Sequence, residues 1–296
     1  SMVLSDNFFG GTGNADNFAF QAVDEFDPSR SPTDANLFEA LWVEYYQGIY
    51  RANVLLSKMD QIEWGEDESL RAQYESETRF IRAYLYFQMV KLWGHIPLLT
   101  EPTSENVPQA SPEEVYTVIA QDLLFASENL PTQAYSEVPG GRVTKWAAKS
   151  MLARVYLYYT GYYSKPDLVG LVNQQDALAH LEDVISNSSH GLLNNYAELW
   201  PAASPDNFAG ENNQEIVFSV KHTYTSDYDG NTDGNHWMIM LGMREFTHYP
   251  YANGWGVTVT PEVYNAFSEG DSRQEASIIA IEEEEIPFNK IENQRE

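Results

Sequence analysis

A short self-similarity constrains the fold of this chain more than any other feature. Arg82-Ala83-Tyr84-Leu85-Tyr86-Phe87 recurs as Arg154-Val155-Tyr156-Leu157-Tyr158-Tyr159, with the arginine, the leucine and two tyrosines identical. Each copy lies in an amphipathic run that follows another amphipathic run. The repeating unit therefore reads as a helix hairpin, the building block of tetratricopeptide-type solenoids. Coincidence is the competing explanation, because arginine, leucine and tyrosine all suit a half-buried helix face.

The flanking periodicity favours helices throughout the first two thirds. From Leu37, apolar residues return at three- and four-residue steps through Leu41, Tyr45, Ile49, Ala52 and Met59, with entry signals at Ser31-Pro32-Thr33-Asp34. A second run covers Ser69 to Trp93 and is stopped by Gly94 and Pro97. The third has the clearest start, since Ser111-Pro112-Glu113-Glu114 joins an N-cap serine, a proline at the first helical position and a glutamate three residues after the cap. Leu130-Pro131 ends it. A fourth runs from Thr144 to Gly161, and a fifth from about Gln174 to Ser186. Trp42, Trp93, Trp146 and Trp200 read as packing residues.

After Leu192 turn residues crowd in and only short apolar pieces remain; Glu215–Val220 reads as a strand, with Gly256–Thr260 as another. The expected fold is mainly α: tetratricopeptide-like hairpins forming a solenoid scaffold, with an irregular loop-rich face and a few short strands. Residues 1–191 would hold the N-terminal segment and the scaffold. Residues 192–281 would form the ligand face, and 282–296 an acidic tail.

Charge then narrows the function. The 296 residues carry 44 Asp and Glu against 17 Lys and Arg, a formal charge of −27. Such a chain repels phosphate backbones and has no polybasic attraction to anionic lipid, so nucleic acid is not an expected partner. No stretch approaches the ~20 apolar residues of a spanning helix. Cysteine is absent, which removes disulfide frameworks, thiolate catalysis and cysteine-based zinc sites.

Catalytic motifs are scarce. The six histidines are not paired at metal-ligand spacing, and no GxSxG elbow, P-loop or dinucleotide GxGxxG is present. Gly10-Gly11-Thr12-Gly13 lacks the strand and helix that a phosphate loop needs. Asp229-Gly230-Asn231-Thr232-Asp233-Gly234 matches the first half of a calcium loop, but Met240 stands where its bidentate glutamate belongs, so no metal site and no cofactor is expected.

The second half is rich in rings and amides: Tyr224, Tyr228, Asn231, Asn235, His236 and Trp237, then His248-Tyr249-Pro250-Tyr251-Ala252-Asn253-Gly254-Trp255-Gly256. Flat rings stack on the apolar faces of sugars while amides bond hydroxyls, so these loops could hold a saccharide. Equally, the rings could plug the junction between loops and helices. Trp237, Tyr249, Tyr251, Asn253 and Trp255 are the candidate ligand-binding residues, and no catalytic residue is assigned.

Several blocks in order resemble the SusD/RagB family: Trp42 to Asn53, Glu77 to Pro97, Ser111 to Pro131, Gly141 to Tyr158, Asn213 to Val220, Asn253-Gly254-Trp255-Gly256, and Phe267 to Arg273. The resemblance spans approximately Trp42 to Ile281. It implies a non-catalytic glycan-binding lipoprotein, anchored at the outer membrane of the cell surface, that delivers oligosaccharide or polysaccharide fragments to a TonB-dependent transporter. It also implies four tetratricopeptide-like hairpins, with the transporter contacting the scaffold. The opening Ser1-Met2 resembles a tag remnant, so the lipid-bearing N-terminal cysteine is expected to lie upstream of this chain. Relatives continue past Asp271-Ser272-Arg273, which makes the chain a partial or shortened member. Two other readings stay open: a tetratricopeptide-type protein-interaction adaptor, and a glycoside hydrolase whose paired carboxylates sequence alone does not reveal.

Overall fold

The computed structural model describes residues 5–8, 18–27, 38–65, 68–138, 140–201, 203–222, 258–278 and 280. Eight α-helices are described: α1 (Phe18–Asp24), α2 (Glu39–Lys58), α3 (Glu68–Trp93), α4 (Pro112–Asn129), α5 (Lys145–Tyr163), α6 (Gln174–Asn187), α7 (Pro261–Asn265) and α8 (Ser272–Ser277). One two-stranded antiparallel ladder, β1 (Ile96–Pro97) with β2 (Gln109–Ala110), pairs Ile96 with Ala110. The chain divides into two compact units, one made of Phe38–Leu192 with Glu211–Val220, the other of Ser1–Leu37, Leu193–Gly210 and Lys221–Glu296.

The first unit is the helical scaffold. Helices α2 to α6 each pack on the next in sequence, the arrangement of stacked hairpins. Phe80, Tyr86, Phe87 and Met89 of α3, Tyr116, Ile119 and Leu123 of α4, and Leu152 and Tyr159 of α5 form its core together with Ile49 of α2. Each such side chain contributes about 1.5–3 kcal/mol by leaving water.

Local chemistry sets the helix ends. The Ser111 hydroxyl accepts from the Glu114 N–H while the Glu114 carboxylate accepts from the Ser111 N–H at 2.8 Å, a full capping box at the start of α4. Thr144 and Asn173 cap α5 and α6. Gly94, at φ +68°, ends α3 in the left-handed conformation that glycine adopts without strain. Helix α5 runs past Gly161 to Tyr163.

Glu215–Val220 is not a strand. Among the described residues it has no ladder partner; Phe218 instead sets its ring edge-on to Phe80 (5.1 Å) and Tyr84 (6.0 Å) of α3. The apolar run Ile216-Val217-Phe218 suggested a strand, and Val217 and Phe218 instead pack against the helical core.

In the second unit, a tight turn at Tyr196–Leu199 packs against α8. Val259 forms an isolated bridge with Phe8, and the Thr260 N–H donates to the Asn7 carbonyl at 2.9 Å. Trp200 is 46% exposed, so it is not the packing residue expected from sequence. Trp146 is buried, and Trp42 and Trp93 pack against each other.

Candidate functional site

The candidate ligand residues Trp237, Tyr249, Tyr251, Asn253 and Trp255 lie outside the described residues, as do the calcium-like loop at Asp229–Gly234 and the glycine cluster at 10–13. What the structure describes is the scaffold and the aromatic surfaces it carries.

The scaffold turns on one buried ionic network. Arg82, on α3, is almost fully buried. Its guanidinium donates to both Asp122 carboxylate oxygens on α4, at 2.8 and 2.9 Å, and to the Asn53 side-chain oxygen on α2 at 2.8 Å. Arg79 adds a third bond to Asp122 at 3.1 Å and lies over the Phe125 ring. A buried charge is tolerated only when it is paired and hydrogen-bonded, and here one arginine ties three helices. The same network clamps the loop after β1. The Tyr86 hydroxyl donates to the Leu99 carbonyl (2.7 Å) and accepts from the Leu99 N–H (2.8 Å), and Asn53 donates to the same carbonyl. Burial pushes the Tyr86 pKa up to about 12, so the hydroxyl stays neutral and keeps both bonds.

Beside this clamp, α2 presents Trp42, Tyr46 and Tyr50 in one row, four residues apart, and Val43, Gln47 and Arg51 in the next. With Leu99 they line a shallow groove of about 430 Å³. Trp42 stands edge-on to Trp93 (5.0 Å), and the Tyr46 hydroxyl donates to the Pro97 carbonyl, so those two rings are fixed from behind. Tyr50 is half exposed. The groove offers ring faces together with an amide and a guanidinium. Sequence reading missed it because the row adjoins the helix's buried stripe at Ile49, Ala52 and Asn53; the signal was an aromatic at every fourth position.

A second aromatic surface lies at the end of α5. Tyr116 is buried against Tyr159 (4.7 Å) and Tyr163 (5.8 Å), and Tyr158 and Tyr162 stack at 5.5 Å with planes 12° apart. Burial raises the pKa values of Tyr116, Tyr158, Tyr159 and Tyr163, so these phenols are uncharged.

Acid–base and metal chemistry find little here. Among the described residues no cluster of three or more His, Asp and Glu could hold a metal ion. Among the described residues the carboxyl groups with shifted pKa values are held down: Glu114 by the Ser111 hydroxyl and N–H, Asp183 by Lys149 and Asn187, and Asp271 to about 2 by Arg273. No helix among the described residues is long and apolar enough to cross a membrane.

Comparison with known proteins joins these features to a family. Residues 4–157 match the SusD-like family described as "Starch-binding associating with outer membrane". SusD-like protein P25 of Formosa agariphila is 29% identical over 244 residues, covering 74% of this chain and 42% of that protein. The starch-binding protein SusD of Bacteroides thetaiotaomicron is 32% identical over 180 residues, 59% of this chain and 30% of that protein. A solved laminarin-binding SusD-like protein superposes with a TM-score of 0.75 at 31% identity, over 98% of this chain and 61% of that one. The chain thus spans less than half the length of these two sequence relatives. The tetratricopeptide-like scaffold, its capped hairpins and the match over more than half of its residues make this chain a member of the SusD-like family.

Proposed function

We propose that this chain is the scaffold and part of the ligand face of a non-catalytic, lipid-anchored cell-surface protein that binds a glycan and delivers it to a TonB-dependent outer-membrane transporter. The observation that carries the reading is the likeness to a laminarin-binding SusD-like protein along 98% of the chain.

In this reading Trp237, Tyr249, Tyr251, Asn253 and Trp255 supply stacking faces and a hydroxyl-bonding amide, with association resting on contact area and hydrogen bonds and no bond broken. The transporter contacts the helical scaffold. Alanine at Trp237 or Trp255 is expected to weaken binding of a neutral glucan about tenfold in isothermal calorimetry, as losing a central aromatic anchor does. Unchanged affinity in both variants would remove the site assignment. Release of reducing sugar from a bound glucan would remove the non-catalytic reading. Co-purification of a β-barrel transporter with the tagged protein from outer membranes tests delivery, and its repeated absence would leave a glycan binder without that role.

A further inference from the structure

The repeated hexamer places the same guanidinium in two different surroundings. Arg82 has Asp122 and Asn53. Arg154, its counterpart on α5, is exposed and has no ion pair or hydrogen bond among the described residues. Lys91 of α3 has its pKa lowered first by burial and then by Arg154, and no carboxylate offsets either. In a chain of net charge −27, neither Lys91 nor Arg154 has an ion pair among the described residues.

Aromatic rings continue this surface. The Lys91 ammonium sits 4.5 Å from the Phe87 ring centroid, Phe87 meets Tyr158 edge-on at 5.7 Å, and Tyr158 stacks on Tyr162. Tyr162 is 70% exposed. Arg154, Tyr158 and Tyr162 follow at four-residue steps, so a row about 12 Å long runs along one face of α5 from a guanidinium to an open ring. Guanidinium and ammonium groups bind carboxylates through charge-assisted hydrogen bonds, while a tyrosine face accepts the apolar face of a sugar ring.

We infer that this surface of α3 and α5 is a second saccharide subsite, one that takes an acidic oligosaccharide by holding a uronate carboxylate on Arg154 and Lys91 and a neighbouring sugar ring on Tyr162. It rests on the glycan-binding reading above and adds a preference for charge that Trp237, Tyr249, Tyr251, Asn253 and Trp255 do not supply.

The test is calorimetric titration of the intact protein with oligogalacturonides and oligoglucuronans, with their methyl esters, which keep the rings but lose the charge, and with a neutral glucan. The acids are expected to bind about tenfold more tightly than their esters. Arg154→Gln and Lys91→Gln should each abolish that preference and leave neutral-glucan affinity unchanged; Tyr162→Ala should weaken acid and ester together. All three side chains are partly or largely exposed, and circular dichroism checks that the fold persists. Equal affinity for acid and ester, or an acid preference that survives Arg154→Gln, overturns the inference. Binding of neutral glucans without the acids overturns it and leaves the proposed function standing. Binding of neither overturns both.

Discussion

Helices α3 and α5 carry the two copies of one hexamer, and they bury two of its positions alike while placing the others in different surroundings. Ala83 and Val155 are both buried, as are Phe87 and Tyr159. By contrast, Leu85 packs under α2, where a Cβ on Gly48 would come within 2.6 Å of it, whereas its counterpart Leu157 is 63% exposed. Tyr86 is buried and bonded twice to Leu99, while Tyr158 keeps one ring face against Tyr162. Arg82 holds Asp122; Arg154 holds nothing among the described residues. A solenoid repeat thus preserves what packs between neighbouring helices, and the neighbour decides what the repeated arginine becomes.

Substitutions at equivalent positions should break this comparison in graded steps. Asp122→Ala strands Arg82 without its counter-ion and is expected to cost about 3–5 kcal/mol by chemical denaturation. Arg154→Gln should stay within about 0.5 kcal/mol, as exposed substitutions do; equal costs would refute the distinction. Tyr86→Phe removes a hydroxyl that both donates to and accepts from Leu99 and should cost about 1–3 kcal/mol, against a negligible change for Tyr158→Phe. Ser111→Ala, at the cap of α4, should cost about 1 kcal/mol. That variant also carries a pH signature. The Ser111 hydroxyl and N–H hold the Glu114 pKa below its ordinary value, so the box stabilises the fold above the ordinary carboxylate range and loses that contribution as pH falls through the lowered value. In Ser111→Ala the Glu114 titration, followed by NMR, should move up toward the ordinary range.

The helical half was legible because its signals are local. Ser111, Thr144 and Gly94 announce their helix ends within a few residues, and the described helices begin and end close to the expected positions. What sequence did not reveal depends on distant partners. Nothing near Arg82 in the sequence identifies Asp122, 40 residues away, as its counter-ion, and nothing near Arg154 shows that it has none. Glu215–Val220 read as a strand from its apolar run, whereas that run serves a distant partner: Phe80 and Tyr84 of α3 receive Phe218. Trp200 read as packing because tryptophans are mostly buried on average, and here it is exposed.

Calorimetric titration of starch and laminarin oligosaccharides into the protein tests the central claim most directly. Saturable binding with no release of reducing sugar is expected, weakened by alanine at Trp237 or Trp255 while thermal stability is unchanged. Absence of binding to every neutral and acidic oligosaccharide tested, or hydrolysis of a bound one, would contradict it.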